Sequence, residues 1–426
     1  MFWSRPFLLH PGAGRVRSVP RVRATLALIV GALLAGMAGM STPGLAQTIV
    51  DVRTGVHADK TRFVIELDQA QPYRAFVLTD PDRAVIDLPD VKWSGEPAHE
   101  VGGVGLVGNL RYGLFRPGIS RVVIDLEGPA TIANHFALDA GGGSGPRIVV
   151  DLRSATASEV ASAKPVESGR WADYARTLSR SSSTTASLEA PEGVGEKRVV
   201  VIDPGHGGVD PGAIGVSGKY EKGIVLEAAR TLQKTLEATG RYEVVLTRDR
   251  DVYLPLRERY QVAHEVDAGL FISLHADSHP SRSLRGASVY TLSDTASDKE
   301  AAALARKENK SDVIAGADLS GYTPEVSSIL IDLAQQSVNE NSWHFAEMLV
   351  DNLAREIKVL NNTHRFAGFA VLKSPNVPSV LVELGYLSNR QDEQVLSSEG
   401  FRQRISTALT KAIDRFFDRQ ERLSRS

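Results

Sequence analysis

His206, Glu221 and His275 each sit where a metal ion could be held. His206 lies in Asp203-Pro204-Gly205-His206-Gly207-Gly208, directly after the apolar run Val199-Val200-Val201-Ile202. His275 lies in Ser273-Leu274-His275-Ala276-Asp277, directly after Gly269-Leu270-Phe271-Ile272. Glu221 follows Gly218-Lys219-Tyr220 and opens a helical stretch, so its carboxylate can turn back toward the ends of the two strands. Two imidazoles and one carboxylate, with one position left open, suit a hydrolytic zinc ion, which lowers the pKa of a bound water to about 7. The glycines at 205, 207 and 208 let the backbone approach such an ion and bend sharply after the strand. Taken singly, each residue has a plainer reading: a turn histidine, a strand-end histidine, or an acid favoured by a helix N-terminus. His279 is close by but stands beside Pro280 in a loop, so His275 is the preferred ligand.

A fourth polar residue interrupts an apolar strand. Pro378-Ser379-Val380-Leu381-Val382-Glu383-Leu384 puts a carboxylate where that strand ends. A zinc hydrolase needs a base to take a proton from water and pass it to the leaving nitrogen. Glu383 is the candidate, against the alternative of a structural carboxylate bonded to backbone amides.

These residues must be positioned by a scaffold, and residues 197–420 alternate strand and helix. Strands are expected at about 198–203, 242–247, 269–274, 286–292, 369–372 and 379–383, and helices at about 221–239, 254–266, 341–357 and 400–418. This predicts an α/β domain: a mainly parallel sheet flanked by helices, with ligands bound beyond the carboxyl ends of the strands. From about Asp294 to Glu340 the rhythm breaks, over a stretch too long for an ordinary connection. This insertion holds a helical run at Asp298–Asn309 and a second at Glu325–Val338, where Val326, Ile329, Leu330 and Leu333 share one face.

Residues 48–152 carry a near-repeat. Arg62-Phe63-Val64-Ile65-Glu66-Leu67 is echoed by Arg83-Ala84-Val85-Ile86-Asp87-Leu88, by Arg121-Val122-Val123-Ile124-Asp125-Leu126 and by Arg147-Ile148-Val149-Val150-Asp151-Leu152. Short β-branched runs separated by Pro, Gly and Asp predict a small all-β sandwich, and their irregular spacing argues against a solenoid. Residues 153–196, with Ser179–Ala186 at their centre, are expected to be mostly a flexible linker, with a short helix near Trp171–Leu178.

Composition narrows the rest. The 426 residues suit two domains, and 42% apolar content supplies a sizeable core. A formal net charge of −2 gives no electrostatic case for nucleic acid as a partner. With no cysteine, any transition metal must be held by histidine and carboxylate. Residues 1–46 read as an export signal: four arginines at 15, 17, 21 and 23, an apolar run from Ala24 to about Met40, then Gly44-Leu45-Ala46. The run is short for a membrane span, so no stable anchor is expected after cleavage before Gln47. No two arginines are adjacent there, which favours the Sec route over a twin-arginine one.

The motifs VVIDPGHGGVDPGA (200–213), GKYEKGIVLEAA (218–229), VVLTRDRDVYLPLRER (244–259), FISLHAD (271–277) and FAVLKSPNVPSVLVELGYLSN (369–389) resemble the zinc-dependent N-acetylmuramoyl-L-alanine amidases of the amidase-3 type. The resemblance covers nearly all of 197–420. It implies one zinc ion held by His206, Glu221 and His275, with Glu383 as the catalytic glutamate. Where that family often has Asn, this chain has Asp277, which is not a ligand position. Residues 48–152 look like an AMIN domain, associated in such amidases with peptidoglycan binding and localisation. The whole order resembles the periplasmic amidases that separate daughter cells. In those enzymes an insertion helix blocks the active site, and a neighbouring short helix binds an activator with a degenerate LytM-type domain. By resemblance Glu300 or Glu308 would reach the zinc, and Val313, Ile314 and Leu319 would meet the activator. Two alternatives stay open: a zinc carboxypeptidase or endopeptidase cutting the stem peptide, and a non-catalytic cell-wall binding protein.

Overall fold

The computed structural model of the protein describes residues 47–94, 101–182, 197–317 and 329–425. The expected signal segment 1–46 therefore lies outside the described residues, as does Leu319. Among the described residues no helix is long and apolar enough to cross a membrane.

The N-terminal part is a sandwich of two five-stranded sheets. One has the order β5-β1-β2-β9-β8, built from β1 (Gln47–His57), β2 (Lys60–Leu67), β5 (Val91–Trp93), β8 (Ala130–Leu138) and β9 (Arg147–Ser154). The other has the order β10-β3-β4-β7-β6, built from β3 (Arg74–Leu78), β4 (Arg83–Pro89), β6 (Val107–Arg116), β7 (Ile119–Leu126) and β10 (Val166–Glu167). Alternation decides which side faces in: along β2, Thr61, Phe63, Ile65 and Leu67 are buried and the residues between them are half-exposed. Phe63, Ile65, Ile86, Leu88, Ile124, Val150 and Leu152 share the core between the sheets. The four copies of the near-repeat are β2, β4, β7 and β9, the antiparallel central pair of each sheet.

The linker expectation needs correction over residues 157–182, although the short helix expected near Trp171–Leu178 is present; residues 183–196 lie outside the described residues. Helix α1 (Ala157–Ser162) is closed by a capping box from Thr156 and Glu159, and α2 (Trp171–Ser182) follows β10. Trp171 is buried, the Tyr174 hydroxyl donates to the Gly118 carbonyl, and the Ser168 hydroxyl accepts from the Tyr73 amide. A few anchoring aromatics and caps hold residues 157–182 to the sandwich, although their average composition is polar.

The C-terminal part is a six-stranded mixed sheet, β12-β11-β13-β16-β14-β15. Its strands are β11 (Arg198–Pro204), β12 (Tyr242–Leu246), β13 (Leu270–His275), β14 (Ala287–Leu292), β15 (Val359–Ala367) and β16 (Ser379–Glu383). All pairings are parallel except β14 with β16. Every residue of β13 and β16 is buried, as continuous apolar runs in a sheet covered on both faces require. Helices α3 (Glu221–Glu237), α7 (Ile329–Glu356) and α9 (Glu399–Ser424) cover one face, where Leu232, Leu349, Leu353, Leu409 and Phe416 meet the strands. Helices α4 (Leu256–Glu265) and α5 (Lys299–Glu308) and the 3₁₀ turn Ala370–Leu372 cover the other, through Ala263, Leu304, Phe369 and Val371. Helices α6 (Ser311–Ile314) and α8 (Arg390–Leu396) complete the set.

Two expected elements differ. The strand predicted at 369–372 is a 3₁₀ turn, and the edge strand is β15, whose Asn361-Asn362-Thr363-His364-Arg365 run hides it from a hydrophobic reading. The helices expected at 325–338 and 341–357 form one continuous helix from Ile329, with residues 325–328 outside the described set.

The two parts touch backbone to backbone. The Tyr253 amide donates to the Leu114 carbonyl at 2.9 Å, and Leu114 bridges to Val252 in strand fashion. A Cβ on Gly113 would stand 2.5 Å from the Gly208 carbonyl oxygen and 2.6 Å from the Val209 amide nitrogen, so only glycine permits this approach.

Candidate active site

β11, β13 and β16 run side by side and parallel, so their carboxyl ends lie at one edge. There, His275 and Glu383 are register neighbours, and the turn after β11 brings in His206. His206 adopts φ 60, a left-handed backbone rare outside glycine, which turns its ring back over the strand ends. Gly205 makes room: a Cβ there would lie 2.5 Å from Nε2 and 2.8 Å from Nδ1 of His275. Glu221 opens α3 and is fully buried; its two oxygens accept from the Ala276 amide at 2.7 Å and the Ala213 amide at 2.8 Å.

The ring nitrogens and carboxylates converge. His206 Nε2 is 3.2 Å from His275 Nδ1 and 3.1 Å from Glu221 Oε1, and His275 Nδ1 is 3.3 Å from Glu221 Oε1. Glu308, at the end of α5, places Oε2 3.4 Å from His206 Nε2 and 3.2 Å from His275 Nδ1. Ligands about 2.0–2.1 Å from a tetrahedral zinc stand roughly 3.3 Å apart, so the spacings fit that ion. The donor types fit too, because both Glu308 oxygens are buried without a hydrogen-bond donor.

Each ring is oriented from behind. His206 Nδ1 pairs with Asp210 Oδ2 at 2.9 Å, which leaves Nε2 for the centre. His275 uses the opposite nitrogen: its Nε2 lies 3.1 Å from the Ser273 hydroxyl, which donates to Asp203 Oδ2 at 2.7 Å. Asp203 Oδ1 in turn accepts from Thr247 at 2.6 Å and from the fully buried Arg259 at 3.0 Å. Arg259 also donates to the His206 carbonyl at 2.8 Å.

Electrostatics make the cluster a seat for positive charge. Burial alone would lower the pKa of His206, but the charges of Glu221, Asp210 and Glu308 outweigh it and raise it well above the imidazole range. Burial works to raise Asp210, yet His206 and the donors around it hold its carboxyl down at about 2. Glu383 moves the other way: burial, then the nearby Asp277, push it well above the carboxylate range. Its Oε2 accepts from the Asp277 amide at 2.9 Å, and its Oε1 is buried with no partner. A carboxyl that can be neutral or charged, with one free oxygen, is suited to moving a proton.

Residues 200–415 match the family model described as N-acetylmuramoyl-L-alanine amidase, and residues 49–152 match the AMIN domain model. The N-acetylmuramoyl-L-alanine amidase AmiC of Escherichia coli is 33% identical over 377 residues, covering 87% of this chain and 89% of that one. The chain belongs to the N-acetylmuramoyl-L-alanine amidase family. AmiC of Neisseria meningitidis is 33% identical over 376 residues, 84% of this amidase and 87% of that one. AmiA of Escherichia coli is 39% identical over 224 residues, 52% of this amidase and 77% of that one.

The two insertion carboxylates of this amidase part company. Glu308 reaches the histidines, whereas Glu300 is exposed and pairs with Arg365 at 2.9 Å. Position on α5 is the reason. Ala301, Leu304, Ala305 and Glu308 are its buried residues, one stripe at i, i+3, i+4 and i+7, and Glu300 is off it. That periodicity was available in the sequence to separate the two. Lys307, next to Glu308, pairs with Asp277. Beside the histidines, a cavity lined by His206, His275, Glu308, Ser311 and Val371 measures about 10 Å³, room for roughly one water. Val313 and Ile314 are half-buried, and their carbonyls accept from Arg83 and Arg111.

The orienting residues Asp203, Asp210, Ser273 and Arg259 did not stand out in the sequence. Asp203 and Asp210 flank His206 at three and four residues, and Ser273 lies two before His275 on the same strand face; these spacings were the available signal. Nothing local marks Arg259.

Proposed function

We propose that this protein hydrolyses the amide between the lactyl group of N-acetylmuramic acid and L-alanine in peptidoglycan, and that one zinc ion serves the reaction. What carries the reading is the convergence of His206 Nε2, His275 Nδ1 and Glu221 Oε1 beside the unpartnered Oε1 of Glu383. His206, Glu221 and His275 would hold the ion. When bound, zinc polarises an amide carbonyl and acidifies water. Glu383 takes the proton of the attacking water and returns it to the L-alanine nitrogen as the C–N bond breaks. Asp210 and Ser273 keep the two rings turned inward throughout.

The resting enzyme is latent. Glu308 fills the place beside the two histidines that a substrate carbonyl or water needs, and the small cavity supports that reading. Val313, Ile314 and Leu319 belong to the segment that an activator with a degenerate LytM-type domain would engage to withdraw Glu308. The signal-like residues 1–46 support Sec-dependent delivery to the periplasm. The family resemblance to division amidases supports a role in daughter-cell separation.

The test is fragment analysis of purified sacculi by mass spectrometry. Intact stem peptides beginning with L-alanine are expected, released by a Glu308→Ala protein and not by Glu308→Ala/Glu383→Gln, with zinc content equal in the two. Shortened or internally cut peptides would make the enzyme a stem-peptide peptidase. No release by either protein with zinc bound would leave a binding protein.

A further inference from the structure

The near-repeat gives the sandwich two equivalent outer faces. In one sheet Arg62 stands opposite Asp151 and Glu66 opposite Arg147. In the other Arg83 stands opposite Asp125 and Asp87 opposite Arg121. On the first face Asp151 is satisfied within its own sheet: it accepts from Arg62 at 2.7 and 2.9 Å and from Lys60 at 2.7 Å.

On the second face the pairing is shifted. Arg121 takes Asp87 at 2.6 and 2.9 Å, and Arg111 of β6 takes Asp125. Arg83 is left to the Pro81 carbonyl at 3.0 Å and to the insertion. Three guanidiniums therefore face two carboxylates, with Arg83 and Arg121 buried. Burial, with Arg111 alongside, holds Arg83 down at about 10.

The end of α6 supplies the missing acceptors. The Val313 carbonyl accepts from Arg83, the Ile314 carbonyl from Arg111 at 3.2 Å, and the Ala315 and Gly316 carbonyls from Arg121. Carbonyls at a helix end lack partners within the helix; Val313 already accepts from the Gly316 amide at 3.0 Å, so Ile314, Ala315 and Gly316 are the ones that need outside donors. Gly316 lies over Val85 and Val123, which are fully buried although they sit on the outer side of the sheet. The same turn also reaches the site: the Ser311 hydroxyl donates to Asp210, and Asp312 accepts from the Leu256 amide at 2.9 Å. Only Asn309 and Lys310 separate α6 from Glu308.

We propose that the outer face of the β10-β3-β4-β7-β6 sheet is an interaction surface for the insertion, where Arg83, Arg111 and Arg121 hold the end of α6 and through it keep Glu308 against His206 and His275. The AMIN domain is then part of the lock, and these arginines are positioning residues. The inference rests on the reading that Glu308 restrains the enzyme. Any activator that withdraws Glu308 must first break the arginine contacts or relocate the segment they hold.

The experiment uses the full-length, zinc-loaded protein and compares Arg83→Gln/Arg111→Gln, Gly316→Val and Glu308→Ala. Gly316 has φ +62, and a Cβ there would lie 3.1 Å from Val85, so Gly316→Val lifts the segment from the insertion side and leaves the sandwich intact. Two quantities are read: peptide release from sacculi, and amide exchange over residues 299–317. Both clamp variants should speed exchange at residues 312–317 by about tenfold and raise peptide release by about threefold or more, with β2 and β9 still protected. If Glu308→Ala raises release and neither clamp variant does, the clamp is refuted and the latency reading stands. If Glu308→Ala does not raise release, the latency reading fails and takes the clamp with it. Should the arginine variant lose protection in β2 and β9, Gly316→Val alone decides.

Discussion

Gly205→Ala asks whether the two rings are held as tightly as their spacing says. The added methyl would sit 2.5 Å from His275 Nε2 and 2.8 Å from Nδ1. Ordinary carbon–nitrogen contact needs roughly 1 Å more. The ring cannot swing freely, because Ser273 and Asp203 grip its far nitrogen and the parallel neighbours of β13 fix its backbone. Metal ligands tolerate displacements of about 0.2 Å, so a shift several times larger should remove His275 from the ligand set. The expected result is zinc affinity weakened by about a hundredfold or more, and a folding stability lower by about 1–3 kcal/mol from overpacking. Chelator competition with a fluorescent zinc indicator measures the first, and thermal denaturation of the metal-free protein the second. A Gly205→Ala protein that binds zinc as tightly as the parent would refute the placement of the His275 ring over Gly205.

Ser273→Ala removes the link from His275 to Asp203 without adding bulk; zinc affinity should fall by about tenfold to a hundredfold in the same competition assay. Glu308→Ala should raise peptide release by about tenfold, whereas Glu300→Ala, which loses only an exposed pair with Arg365, should leave release near the parent rate. Asp151→Asn should destabilise the sandwich by about 1–2 kcal/mol at neutral pH, read from denaturant unfolding. The hydrogen bond from Arg62 first, together with Lys60, holds Asp151 at about 2, below its ordinary 3.8. That contribution is fully present above pH 3.8 and disappears as pH falls through about 2, so the gap between Asp151→Asn and the parent should close over that window. A gap that persisted at the acid end would show that the pair does not carry it.

The residues around the two histidines were more legible than their contacts with the insertion. His206, Glu221, His275 and Glu383 each interrupt or cap an apolar run, and a parallel sheet gathers strand ends at one edge, so local patterns sufficed to group them. Asp203 and Asp210 were visible as neighbours of His206, three and four residues away, but spacing alone does not say which of them stands behind the ring. Arg259 could not be singled out, since its partners come from residues 203–206 across a fold that sequence does not draw. The edge strand β15 was missed because one side of it meets solvent and carries asparagines. The helix near Trp171–Leu178 was expected, but the docking of the run at 157–182 was missed because Trp171 and Tyr174, and not average composition, decide it. Glu308 could have been chosen over Glu300 from the stripe Ala301, Leu304 and Ala305. The arginine contacts to Val313–Gly316 could not, because carbonyl acceptors are the same in every residue.

The glycine-on-glycine contact at Gly113 and Gly208 has a mechanical meaning. Where two backbones touch with no side chain between them, nothing compressible separates the bodies they belong to. A shift of the sandwich therefore bears directly on Gly208, two residues from a ring that must be held to tenths of an ångström.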